Sequence, residues 1–137
     1  MILGVHTVSA NKYEGHSLSP LLAKTVKAYN LSGIATDKGY TSQTNSALLS
    51  SYGLKNRLQR KASRSRKLSY WEKRFNKEIS RIRYVVERTF GSCKRWFQGG
   101  VARYKSLPKV HTQHIMQSIA YNIKRSPGII MSNCLTN

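Results

Sequence analysis

The five acids of this chain are few enough to be weighed one at a time. Glu72 stands three residues after Ser69, the spacing of a helix capping box, in which the carboxylate reaches back to the cap residue's N–H. Glu78 falls on the polar side of the helix that follows, and Glu14 falls in the turn-rich loop SANKYEG. Asp37 and Glu87 remain. Asp37 closes the run Ile34-Ala35-Thr36, which reads as a buried strand, and strand ends are where open α/β sheets place site residues. Glu87 lies mid-helix beside an apolar face. A carboxylate in such a place has to be paired, hydrogen-bonded or bound to a metal ion. Each acid also has a plainer reading. Asp37 suits a turn or cap before Lys38-Gly39, and Glu87 suits a helical ion pair with Arg83 four residues earlier.

The element that positions Glu87 is the run 70–97, which holds no Pro and only Gly91 as a weak helix former. Its apolar residues Phe75, Ile79, Ile82, Val86, Phe90, Cys93 and Phe97 recur in steps of three and four, the period of one helix face. That stripe is expected to dock the helix on a sheet. Arg83, Glu87 and Lys94 fall within about 40° of one another at the stripe's edge. One acid is thus flanked by two bases suited to holding phosphates. Arg74, Lys77, Arg81, Arg88 and Arg95 form a basic ridge on the far side.

Around this helix the chain reads as alternating strands and helices. Residues 1–8 are apolar and β-branched, as in a strand. Ser17 suits the N-cap of a helix over 18–30, with Leu18, Leu21, Leu22 and Val26 on one face. Thr41 or Ser42 caps a helix running to Ser51, and Gly53 stops it. Residues 54–60 read as an edge strand and 61–67 as a basic, Ser-rich linker. Pro108 opens a last helix to about Arg125, with Ile115, Ile119 and Ile123, joined by Met116 and Ala120, as its core face. Pro127 and Gly128 stop it. The expectation is an α/β domain with a mainly parallel sheet and flanking helices over 1–126, followed by a flexible tail over 127–137.

Charge bounds the partner. Lys and Arg number 24 against 5 acids, a formal +19, and such self-repulsion calls for a polyanion. Nucleic acid is the first candidate and an anionic membrane surface the second. From Lys55 to Lys67 there is no acid, while Lys55, Arg57, Arg60, Lys61, Arg64, Arg66 and Lys67 crowd together. Such a run is a solvated loop or one held by phosphates. Trp71, Trp96 and Phe97 stand among these cations and have the faces on which bases stack. Phe97 fits the core better; Trp96 suits either DNA contact or packing on the last helix. His6, His16, His111 and His114 form no ligand set. Cys93 and Cys134 are too far apart in sequence to signal a disulfide framework or a zinc site, and Cys93 reads as core. With neither a signal peptide nor a run long enough to span a bilayer, the expected location is the cytoplasm.

Three segments together carry a resemblance: Thr36-Asp37-Lys38-Gly39-Tyr40, then Arg83-Tyr84-Val85-Val86-Glu87-Arg88-Thr89-Phe90-Gly91, then Lys94-Arg95-Trp96. They resemble the catalytic core of bacterial insertion-sequence DDE transposases, with the spacing R-x3-E-x6-K held by Arg83, Glu87 and Lys94. The stretches LSYWEKRFNKEISRIR, ARYKSL and HIMQSIAYNIKR are similar to the family as well, so the likeness covers roughly residues 5–125. The resemblance implies a ribonuclease-H-like fold and three acids that hold two Mg²⁺ ions for DNA strand cleavage and joining. It gives Asp37 and Glu87 the parts of second and third acid, as catalytic groups and metal ligands. It implies DNA as partner, both insertion-sequence ends and target, along with a second copy or an intact transposase. Neither a membrane nor a small-molecule substrate is implied, and the location would be the bacterial cytoplasm at the nucleoid. Two departures stand out. Ser80 occupies the place where the family usually has a Tyr, and no Asp precedes Asp37. The chain is therefore read as the C-terminal part of such a catalytic domain, an incomplete ribonuclease-H-like domain around a long catalytic helix, inactive alone. The alternative is a non-catalytic basic protein that binds DNA or RNA.

Overall fold

In the computed structural model the backbone of residues 1–135 and the side chains of residues 1–131 are described. Cys134 lies outside the described side chains, and residues 136–137 of the expected tail lie outside the described chain. The elements in order are α1 (Leu18–Thr25), β1 (Gly33–Thr36), α2 (Gln43–Ser51), β2 (Lys55–Leu58), α3 (Tyr70–Phe97) and α4 (Leu107–Leu135). Short 3-10 turns at Glu14–Ser17 and Lys38–Tyr40 precede α1 and α2. The chain divides into two compact units, one of residues 10–87 and one of residues 1–9 with 88–137.

The 10–87 unit is a small α/β layer. β1 and β2 pair in parallel, Ile34 against Asn56 and Thr36 against Leu58. Gly33 is required at the start of that pairing, because a Cβ there would stand 2.8 Å from the Lys55 backbone oxygen and from its Cβ. Leu18 and Leu22 of α1, Leu49 of α2, and Leu54 and Leu58 beside them form the buried core, with Ile34 and Tyr40 packed against it. β1 is half-buried throughout rather than buried, since it has a strand on one side only. α2 begins where Ser42 accepts a hydrogen bond from Asn45 N and ends before Gly53, whose φ of +66° is the left-handed turn glycine permits. α1 is shorter than the expected 18–30, and Ser17 makes no side-chain cap bond.

In the other unit, residues 1–8 form no strand. The Ile2 backbone is instead held by α4: Ile2 N donates to Asn122 Oδ1 at 2.8 Å, and Asn122 Nδ2 donates back to Ile2 O at 2.7 Å. His111 Nδ1 and His114 Nδ1 both lie 3.0 Å from the Thr7 hydroxyl. These contacts turn the polar row of α4 inward, with Tyr121 buried. The expected core face is reversed: Ile115, Ile119 and Ile123 are exposed. α4 also continues through Pro127 and Gly128 to Leu135, past its expected end near Arg125. Pro127 has no N–H for the carbonyl of Ile123, and Ser126 Oγ donates to that oxygen at 2.9 Å in its place.

The apolar stripe of α3 is buried only in part. Ile79 and Cys93 are buried, whereas Ile82, Val86 and Phe90 between them are 45%, 48% and 60% exposed. The stripe therefore does not dock along its length as expected. Among the described residues, no helix is long and apolar enough to cross a membrane.

Candidate active site and nucleic-acid interface

Asp37 follows the last residue of β1, with extended backbone that lets its side chain turn onto the next residues. Its Oδ1 accepts from Gly39 N at 2.9 Å, so Asp37 does cap the 3-10 turn. This leaves Oδ2 open, and Arg83 Nη2 stands 3.7 Å from it. The same Nη2 is 3.6 Å from Glu87 Oε1, one helical turn along α3. One guanidinium thus spans two carboxylates from different elements of the 10–87 unit. Both separations exceed a direct hydrogen bond, and Glu87 is largely exposed, so each pair contributes less than about 1 kcal/mol. Burial pushes the Tyr40 phenol up from its ordinary value, and the charges of Glu14 and Asp37 push it further. Tyr40 thus keeps its proton beside the acids.

A buried polar set aims this part of α3. Gln59, just after β2, donates from Nε2 to Ser80 Oγ at 2.8 Å and to Asn76 O at 3.2 Å. Asn76 in turn grips the Arg60 backbone, accepting from its N at 2.7 Å and donating to its O at 2.9 Å. Asn76, Ser80, Arg83 and Glu87 follow one another at steps of four, three and four, one row along the helix. The row that binds the end of β2 is the row that carries Arg83 and Glu87. Ser80, where a Tyr was the family expectation, accepts the Gln59 amide.

Farther back, α3 starts on the expected capping box. Ser69 N donates to Glu72 Oε2 at 2.8 Å, and Glu72 N donates to Ser69 Oγ at 3.2 Å. These bonds, the Ser69 N–H first, hold the Glu72 carboxyl below its ordinary range, and the Arg66 guanidinium 2.8 Å away adds to this.

The expected basic surface is unevenly available. Arg66 is held by Glu72, and the Arg60 guanidinium lies 5.4 Å from the centre of the Phe75 ring. Lys55, Arg57, Lys61, Arg64 and Lys67 are exposed and have no acidic partner among the described residues. Lys94 is exposed, seven residues beyond Glu87 along α3, and belongs to the other unit. Trp96 is 46% exposed and takes the Lys124 ammonium of α4 at 4.7 Å from its ring centre. Burial raises the Cys93 thiol, as suits a core residue.

The spacing in the sequence pairs Arg83 with Glu87 but carries no sign that it also reaches Asp37. In the sequence Gln59 and Asn76 have no motif of their own; for Asn76 and Ser80 the signal is a polar row that continues the Arg83–Glu87 spacing backward along the helix. The donor chemistry fits a hard divalent cation. Two carboxylates share one cationic partner loosely, and such an ion takes one or two carboxylates with water and phosphate oxygens completing its set. Among the described residues no group of three or more His, Cys, Asp or Glu gathers around one point.

Comparison with known proteins bears on the same residues. The family described as "Transposase DDE domain" matches residues 1–123. The transposase for insertion sequence element IS1106 of Neisseria meningitidis serogroup B is 34% identical over 122 residues. Those residues are 89% of this chain and 41% of that relative, so the chain spans well under half the relative's length. No solved structure matches the chain.

Proposed function

This chain belongs to the transposase DDE domain family, and from that premise we propose that it binds insertion-sequence DNA and contributes two acids to strand cleavage and joining. The observation that carries the reading is the single Arg83 guanidinium set between Asp37 and Glu87. On this reading residues 1–126 are the C-terminal part of a ribonuclease-H-like catalytic domain, with Asp37 and Glu87 as the second and third acids. A divalent ion such as Mg²⁺, when bound, supplies polarisation of the phosphodiester under attack.

The chain's own residues supply position and charge. Asp37 is fixed by the Gly39 N–H and presents Oδ2, while the Gln59–Asn76–Ser80 set holds the helix row that presents Glu87. Arg83 exchanges the two carboxylates for a phosphate when DNA arrives, and Lys94 takes a neighbouring phosphate. Lys55, Arg57, Lys61, Arg64 and Lys67 grip the backbone outside the site, with Arg60 and Arg66 beside them. In its own unit, Trp96, 46% exposed, is a further DNA contact. With two acids of the three that the family uses, these 137 residues alone bind DNA without turning it over. Its place of work is the bacterial cytoplasm, at the nucleoid, with a second copy or an intact transposase as protein partner.

A supercoiled plasmid tests this. The native chain with Mg²⁺ or Mn²⁺ is expected to shift the plasmid but leave it unnicked, with binding weakened at least a hundredfold between about 50 and 200 mM salt. Mn²⁺ is expected to raise the thermal midpoint of the native chain and to leave Asp37→Asn and Glu87→Gln unmoved. Nicking that Glu87→Gln abolishes would refute inactivity while keeping both acids in the site. An equal Mn²⁺ response in all three chains would remove them from it.

A second reading, a non-catalytic nucleic-acid-binding protein, is favoured by one fact: Asp37 and Glu87 both already face the Arg83 guanidinium, as in an ordinary surface ion pair. Flat Mn²⁺ response in every chain, with tight DNA binding, is its signature.

A further inference from the structure

All five acids lie within the 10–87 unit, so residues 88–137 carry cations with no acid among them. In that unit an open groove of about 650 Å³ runs between the end of α3, the link after it and the first turns of α4. Phe97 and Met116 line it with apolar surface, Arg103 and Lys109 with positive charge, and Tyr104 with an aromatic ring that is 52% exposed.

The link is held firmly enough to present that ring. Gln113 Oε1 accepts from Arg103 N at 3.0 Å, and Gln113 Nε2 donates to Val101 O at 2.8 Å. One turn on, Gln117 Nε2 donates to Phe97 O at 3.0 Å. Two glutamine amides of α4 thus fasten the backbone on either side of the turn that leads to Tyr104. The same bonds occupy both ends of the Gln113 amide and the Nε2 of Gln117. Thr112 Oγ1 donates to Pro108 O, and the Arg103 guanidinium donates to Gln98 Oε1. The groove therefore offers a ring, an apolar floor and positive charge, with the Gln113 amide already spent on backbone. An occupant must be flat on one part and anionic on another, and it must ask for little hydrogen bonding to its flat part.

We propose that this groove takes one unstacked nucleotide of a single DNA strand. The base lies on Tyr104 against the Phe97 and Met116 floor, and the flanking phosphates lie on Arg103 and Lys109. Recognition of this kind is largely indifferent to base identity, because every base has a face to stack. Cleavage and joining expose single-stranded ends, which is the strand form such a groove holds. The inference rests on the DNA-binding reading above and adds a site separate from the acids.

The test uses the full chain with a labelled oligothymidylate and a labelled duplex of equal length, read by fluorescence anisotropy. Tyr104→Ala is expected to weaken oligothymidylate binding roughly tenfold while changing duplex binding less than about twofold. Tyr104→Trp keeps native affinity for the single strand, since the larger ring still stacks. Lys109→Gln weakens it by a few fold and lowers the salt slope by about one. A Tyr104→Ala chain that holds the single strand as tightly as the native chain overturns the proposal and leaves duplex binding standing. So does a Tyr104→Trp chain as weak as Tyr104→Ala. A native chain that binds neither strand form overturns the DNA-binding reading itself.

Discussion

The unit of residues 10–87 and the unit of residues 1–9 with 88–137 are held together by different physics. The first has a leucine core, Leu18, Leu22, Leu49, Leu54 and Leu58, and every ion pair found among the described residues. The second has no acid, so none of its cations is neutralised by a carboxylate of its own. Among the described residues its buried side chains are Cys93 and Tyr121, and its segments are tied by side-chain bonds to backbone and hydroxyl groups. An apolar core tolerates the loss of a polar contact, because burial of area is non-directional. A unit knit by amide and imidazole bonds depends on each one, because a broken bond leaves its partner unsatisfied.

The largest expected effect tests the first half of that contrast. Leu49 is fully buried, and Leu49→Ala should cost about 3 kcal/mol in urea unfolding, the transfer loss of its side chain plus the cavity left behind. Ile119→Ala, at a 47% exposed position of α4, should cost less than about 0.5 kcal/mol. Equal losses would mean that the isoleucines of α4 are covered in solution, and the contrast between the units would fail.

The second half is tested at Asn122, which makes both hydrogen bonds to Ile2. Asn122→Ala should cost about 1–2 kcal/mol. Hydrogen exchange should then speed up at the amides of residues 1–8, with those of α1 and α2 unmoved. Uniform acceleration across both units would show that they unfold as one and that the division is geometric only.

Local chemistry made part of this fold legible in the sequence. Ser42, the Ser69–Glu72 box, Gly53 and the ends of α3 each follow from bonds made within a few residues. β1 and β2 fell close to their expected places because Gly and charged residues bound them. What failed was long-range. Residues 1–8 have a strand's composition, but composition cannot say whether a neighbouring strand is there to pair with; here Asn122 takes that part. The isoleucines of α4 keep a helical period, but the period names a face and not its direction. His111, His114 and Asn122 turned the other side inward. Pro127 reads as a stop until Ser126 supplies the lost bond. Asp37 and Glu87 stood out by elimination among five acids. Their link through Arg83 did not, because it needs the end of β1 and the middle of α3 to meet, and that meeting is arranged by the buried amides of Gln59 and Asn76.

The smallest expected effect lies at the start of α3 and concerns pH. The Glu72 carboxyl is held below its ordinary value of 4.5 by the Ser69 N–H first and by Arg66 after it. A carboxyl whose pKa is depressed by folding contributes stability that is fully present above its unfolded value. That contribution is lost as pH falls through the lowered folded value. The helix start should therefore be firm at neutral pH and loosen only below about 4.5. Ser69→Ala removes the reciprocal bond and should cost about 1 kcal/mol at neutral pH. Circular dichroism between pH 6 and 3 checks the sign. The native chain should lose a little helix signal in that window, and Glu72→Gln, with no proton to gain, should be flatter. A Glu72→Gln chain that tracks the native curve would place the titrating group outside the capping box.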